Sequence, residues 1–155
     1  MLASLAATFN LSSSVVCDTF EGLPFDFNAP AYMGTWYEDS HSANQRFAPD
    51  SNVCVQADYR DLDTITGKFT VDNSYQASLT DSRDRLIGEG WCPSKLPGGE
   101  CFVTFRSAPY PNAPNYNVID TDYDNYSIVY GCAEDDMAFL FFLSREPVLS
   151  DELYD

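Results

Sequence analysis

From residue 34 onward, apolar and polar residues alternate in short runs separated by clusters of turn-forming residues. Such alternation places every second side chain on one face and marks half-buried β-strands. It predicts strands over residues 35–41, 53–62, 67–77, 84–91, 100–107, 115–121, 126–133 and 137–144. The breaks carry Pro49-Asp50-Ser51-Asn52, Thr64-Ile65-Thr66-Gly67, Asp81-Ser82, Pro97-Gly98-Gly99, Pro109 to Pro114, and Asp122 to Asn125. Residues of these types supply tight turns or forbid strand continuation. No long segment keeps a helical period, so the chain reads as all-β.

Eight strands with short connections can close on themselves, and such an up-and-down barrel is wide enough for one small ligand. A β-sandwich also buries one face of each strand, so alternation alone leaves both architectures open. Residues 1–33 read as an N-terminal arm with Pro24, Pro30 and little periodicity. Its Phe20, Phe25, Phe27 and Tyr32 point to packing against the remainder, residues 34–150. In the tail, Ser150-Asp151-Glu152-Leu153 looks like a helix start with early acidic residues, so 151–155 are expected to begin a C-terminal helix.

Composition narrows the function. The 155 residues fit one domain able to bury a real core. With 10 Tyr and 11 Phe the chain is rich in side chains that favour strands and line apolar cavities. A net charge of −16 argues against nucleic acid and anionic lipid surfaces as partners. The apolar run at Met1–Asn10 is too short to span a membrane, and no other segment approaches that length. It reads either as the remnant of an export sequence or as the start of a mature chain. Five cysteines, Cys17, Cys54, Cys92, Cys101 and Cys132, suggest an oxidising compartment. Their spacings make no metal pattern with His41, and no phosphate or cofactor motif appears. Cys92 and Cys101 flank a turn-rich loop that can bring two neighbouring strands into bridging range.

Three segments then stand out. Gly34-Thr35-Trp36-Tyr37-Glu38 opens the strand region, Asn115 to Val129 holds two strands around Asp122-Tyr123-Asp124-Asn125, and Phe141-Phe142-Leu143-Ser144-Arg145 closes it. In order and spacing they resemble the signature regions of the lipocalins, with the apolipoprotein D, bilin-binding and crustacyanin group as the nearest branch. The resemblance covers residues 17 to 150, and it decides for an eight-stranded antiparallel up-and-down lipocalin barrel. It implies a structural plug in which Arg145 lies across the indole of Trp36. It also implies a disulfide between Cys17 and Cys132. Cys54 is left without the partner that this branch supplies beyond its C-terminal helix.

Alternation selects the candidate ligand-facing residues. Val55, Ala57 and Tyr59 share one face of the second strand, Val71 and Asn73 of the third, and Val103 and Phe105 of the fifth. Tyr116 and Val118 follow on the sixth, and Phe139 and Phe141 on the eighth. Tyr59, Asn73, Phe105, Tyr116 and Phe141 match cavity positions in the resembling branch. The implied function is non-covalent binding and carriage of a small hydrophobic ligand, such as a lipid, sterol, carotenoid or tetrapyrrole. The implied setting is extracellular, or the lumen of an oxidising organelle such as the thylakoid.

Two other classes stay open. An accessory subunit would dock on a larger assembly through the N-terminal arm and the Pro109–Pro114 loop. A lipocalin-type enzyme would need a nucleophile, yet Cys54 falls on the outer phase of its strand in a strongly acidic chain. His41 shows no evident partner, and Asp120 and Asp122 read as turn residues. The expectation is therefore a binding protein with no catalytic, metal or cofactor residues.

Overall fold

The computed structural model describes residues 23, 26–42, 52–93, 98–132 and 138–148. A one-turn helix, α1 (Ala29–Tyr32), leads into the barrel. It is capped by Asn28, whose side-chain oxygen accepts from the Ala31 N–H, and Pro30 sits in its first turn. Eight strands follow: β1 (Gly34–His41), β2 (Val53–Asp63), β3 (Lys68–Gln76), β4 (Asp84–Trp91), β5 (Glu100–Phe105), β6 (Tyr116–Thr121), β7 (Tyr126–Cys132) and β8 (Ala138–Ser144). Each pairs antiparallel with the next, and β1 returns to β8, so the sheet closes as an up-and-down barrel. Closure settles the choice between barrel and sandwich.

The observed strands follow the alternation closely, with one informative exception. The fifth ends at Phe105 rather than at 107, because Arg106 and Ser107 adopt φ of 55° and 58° and turn the chain away. Neither residue is glycine, so composition gave no warning of the left-handed turn.

Register brings the inward residues into rows. Gly34, Tyr59, Val71, Gly88 and Phe105 are successive partners across five strands. A Cβ at Gly88 would collide with the Thr104 carbonyl and the Phe105 ring, and one at Gly90 with the Phe69 ring. The inner face of β4 therefore gives its space to aromatic rings from β3 and β5. Tyr32, Trp36, Tyr59, Phe69, Val71, Val118 and Val129 form the heart of the core, at the end of the barrel that α1 covers.

One seam is thin. β5 and β6 share only the pairs Glu100–Asn117 and Cys101–Tyr116. Beyond them the Asn115 side chain accepts from the Val103 N–H (2.8 Å) and donates to the Val103 carbonyl (3.0 Å), imitating the missing backbone pair. Beside this seam the Cys92–Cys101 disulfide ties β4 to β5 with Cα atoms 4.3 Å apart, as the loop spacing implied. Cys54 is an exposed free thiol with φ of 53°, at an irregularity in the β2–β3 register. The expected Cys17–Cys132 bridge, the tail helix over 151–155 and most of the arm lie outside the described residues.

On the outer wall, Asp72 is 3% exposed although its strand phase points to solvent. Arg85 and Arg60 cover it: Arg85 donates through Nε (3.1 Å) and Nη2, and Arg60 through Nη1 (2.7 Å). The Arg85 hydrogen bond, with Arg60 adding, holds the carboxyl below the usual carboxylate range against the opposing effect of burial. A carboxyl with a depressed folded-state value stabilises above its unfolded value, about pH 4, and loses that contribution as pH falls through the folded value. Asp72→Asn should therefore cost about 1–2 kcal/mol at pH 7. The two proteins should converge in urea midpoint as pH falls through the depressed folded-state value and Asp72 becomes protonated.

Candidate functional site: the barrel cup

The cup begins with its floor. Trp36 points inward from β1, and its Nε1–H donates to the Tyr32 carbonyl at 2.9 Å. Arg145, just past β8, lies with its guanidinium 3.7 Å from the Trp36 ring centre. It donates through Nε to Tyr123 O (3.0 Å), through Nη1 to Thr35 O (2.9 Å) and through Nη2 to Ala31 O (3.0 Å). One planar cation thus satisfies carbonyls from three segments while stacking on an indole. Burial lowers the Arg145 pKa from its ordinary value, which is high enough that the side chain stays charged.

Above this plug sit three phenols. The Tyr32 hydroxyl meets Ser127 Oγ at 2.8 Å and the Tyr116 hydroxyl at 2.9 Å, and Tyr59 donates to Tyr116 at 2.9 Å. The Tyr32 ring stacks on Tyr59 at 5.9 Å. Burial pushes Tyr32 up to about 12, and carries Tyr59 and Tyr116 well above the ordinary tyrosine value. These groups are neutral hydroxyls at physiological pH. They can orient a ligand by hydrogen bonding but cannot attract it by charge.

Over the phenols lies a cavity of about 200 Å³ with a mostly apolar wall. Val55, Ala57 and Tyr59 border it from β2, Val71 and Asn73 from β3, and Val103 and Phe105 from β5. Tyr116 borders it from β6, and Phe139 and Phe141 from β8. Val118 does not. It shares the inward face, but it packs opposite Val129 and hard against Gly99, in the solid core. Alternation reports which face a residue takes, not how deep along the barrel it lies.

The wall also holds residues that the sequence reading left out, including Glu38, Tyr75, Leu86 and Asn115. Leu86 and Tyr75 carry the inward phase of their strands. Glu38 lies in phase with Trp36, two residues on, and pairs across the seam with Leu143. That phase was the available signal, masked because a glutamate on a strand reads as surface. Glu38 is 13% exposed, and its Oε1 lies 2.5 Å from Nδ1 of His41, which is 18% exposed. Burial raises the Glu38 pKa, and His41 pulls it partly back. His41, read as unpartnered, therefore has a partner. The register shift between Glu38 and Ser40 puts His41 opposite Phe141, whose ring it meets edge-on at 6.3 Å.

One polar atom in the cup is unsatisfied. Asn73 Oδ1 is buried and accepts no hydrogen bond. No set of three or more His, Cys, Asp or Glu side chains able to hold a metal occurs among the described residues. No helix among them is long and apolar enough to cross a membrane.

The lipocalin-like domain family matches residues 27–155. The Lazarillo protein of Schistocerca americana is 36% identical over 110 residues, 70% of this chain and 49% of its own length. The chain thus spans about half of that relative. Purpurin of Gallus gallus is 26% identical over 161 residues, covering 94% of this chain and 79% of purpurin. Among solved structures, lobster apocrustacyanin A1 shares the fold with a TM-score of 0.61 at 21% identity, over 82% of this chain and 67% of that one.

The plug makes a direct prediction. Arg145→Ala leaves three carbonyls short of a donor and the indole face bare, and should lower unfolding free energy by about 2–4 kcal/mol. Arg145→Lys should restore only part of the loss, because an ammonium cannot reach all three carbonyls while stacked. Urea unfolding followed by tryptophan fluorescence measures both.

Proposed function

Because this chain belongs to the lipocalin-like family, we propose that it binds and carries one small hydrophobic ligand in the barrel cup, by burial and without catalysis. The observation that carries the reading is the cavity itself, an aromatic-walled cup of about 200 Å³ over a floor sealed by Trp36 and Arg145. Engineered cavities of about 150 Å³ take up benzene, so this larger cup with an open mouth suits a small aromatic or chain-like body. Burying about 200 Å² of apolar ligand surface contributes roughly 5 kcal/mol before ordering costs. The ligand contacts in this reading are the ten predicted residues on the wall, with Tyr59, Asn73 and Tyr116 as the polar selectors.

The Cys92–Cys101 bridge supports an oxidising setting, extracellular or lumenal. The accessory-subunit alternative gains no comparable support. In the Pro109–Pro114 loop, Tyr110 is committed to the barrel's own wall, packing on Trp91 at 5.7 Å and donating to Glu89 at 2.5 Å.

Mass spectrometry of the solvent extract of protein purified from its source should reveal a stoichiometric hydrophobe. Uptake of the neutral fluorophore N-phenyl-1-naphthylamine provides the site test. Phe105→Asp and Phe141→Asp each put a carboxylate in the cup and should weaken uptake by about a hundredfold. Ile87→Asp, at an outer position 54% exposed, should leave it unchanged. Equal loss from all three folded variants would overturn the assignment of inner and outer faces.

A further inference from the structure

The polar groups of the cup are unequal in kind. Besides its phenols, the wall presents the Glu38 carboxylate, the amides of Asn73, Gln56 and Asn115 and the Ser74 hydroxyl, and no lysine or arginine borders it among the described residues. Arg60 and Arg85 cover Asp72 on the outer surface, and Arg145 lies beneath the floor with Nε, Nη1 and Nη2 each bonded to a carbonyl. The hydroxyls of Tyr32, Tyr59 and Tyr116 bond to one another and to Ser127. Among the described residues the cup thus carries one carboxylate, shared on one oxygen with His41, and no lysine or arginine.

Glu38 is placed to meet a ligand. It stands on the inner face of β1 beside Val55 and opposite Leu143, both of which border the cavity. Oε1 is engaged by His41; among the described residues nothing donates to Oε2, which, unlike Asn73 Oδ1, is not fully buried. A half-desolvated carboxylate on an otherwise apolar wall disfavours anions strongly, and it rewards a cation that can bring an apolar body with it. The rings of Phe139 and Phe141, 5.3 Å apart on β8, belong to the same wall and add faces that attract a cation. Asn73 Oδ1 lies one row deeper, level with Trp36 and Ala57, where it can accept from a second donor on the same ligand.

We propose that the cup selects small aryl or alkyl amines, with the ammonium group received by Glu38 and the apolar body packed toward the phenol floor. This rests on the carrier reading and names its ligand class. It also discriminates among ligands of equal size: fatty acids, whose carboxylate would face Glu38, are rejected.

The test uses the full chain and three probes that share a phenethyl group, in calorimetric titrations at pH 7.5: 2-phenylethylamine, 2-phenylethanol and 3-phenylpropanoate. The amine should bind about tenfold or more tightly than the alcohol, and the acid most weakly. Glu38→Gln should erase the advantage of the amine over the alcohol, with uptake of N-phenyl-1-naphthylamine showing that the variant still has a cup. Equal binding of amine and alcohol by the unsubstituted chain overturns the inference, with no variant needed. Retention of the amine advantage by a folded Glu38→Gln protein overturns it as well. N-phenyl-1-naphthylamine separates the two levels. Uptake of that neutral probe without amine preference removes only the amine inference, and failure of every probe removes the carrier reading too.

Discussion

The guanidinium of Arg145 is the point on which the cup depends. It lies flat on Trp36 and holds carbonyls from α1, β1 and the turn between β6 and β7. α1 and β1 adjoin in sequence, the β6–β7 turn is remote from both, and the three meet at the covered end of the barrel. With the Trp36 indole, which holds the Tyr32 carbonyl, this clasp fixes α1 across the opening, where Tyr32 reaches Ser127 and Tyr116. The cavity exists because one end of the cylinder is sealed; an unsealed barrel of this width would be a wet tube or a collapsed core. Sealing is an electrostatic and packing event at once, which is why a planar cation rather than a point charge occupies the position.

Above the seal, the shape of the cup follows from an exchange of volume between strands. Gly88 and Gly90 leave the inner face of β4 bare below Leu86, and the rings of Phe105 and Phe69 from its neighbours fill what β4 vacates. The same exchange recurs at Gly131, where the Phe139 ring takes the space. Large rings thereby approach the wall closely and leave an axial void, instead of meeting in the middle as they would in a solid barrel.

The barrel and most of its inner face were legible because a strand's pleat has a fixed period of two. Val55, Ala57, Tyr59, Phe139 and Phe141 needed nothing more. Depth was not legible, since Val118 shares their face but sits in the core. Pairing irregularities were not legible either: His41 meets Glu38 only because the β1–β8 register shifts between Glu38 and Ser40. Asp72 shows a third limit. Its outward phase was readable, but its burial depends on Arg60 and Arg85 folding over it from other strands. Chemistry that hinges on a carboxylate therefore came from coordinates, and chemistry that hinges on apolar periodicity came from sequence.

The Asn115 patch has a mechanical meaning. Every other junction in the cylinder is a ladder of backbone bonds, but between β5 and β6 two backbone pairs are prolonged by one side-chain amide. The Cys92–Cys101 bridge anchors β5 to β4 next to those two pairs, at the sealed end. Slack in the wall is thus confined to the half nearer the mouth. Parting there would break two amide bonds and leave the seal untouched, so the load of this wall falls on a single side chain where its neighbours share it along a ladder.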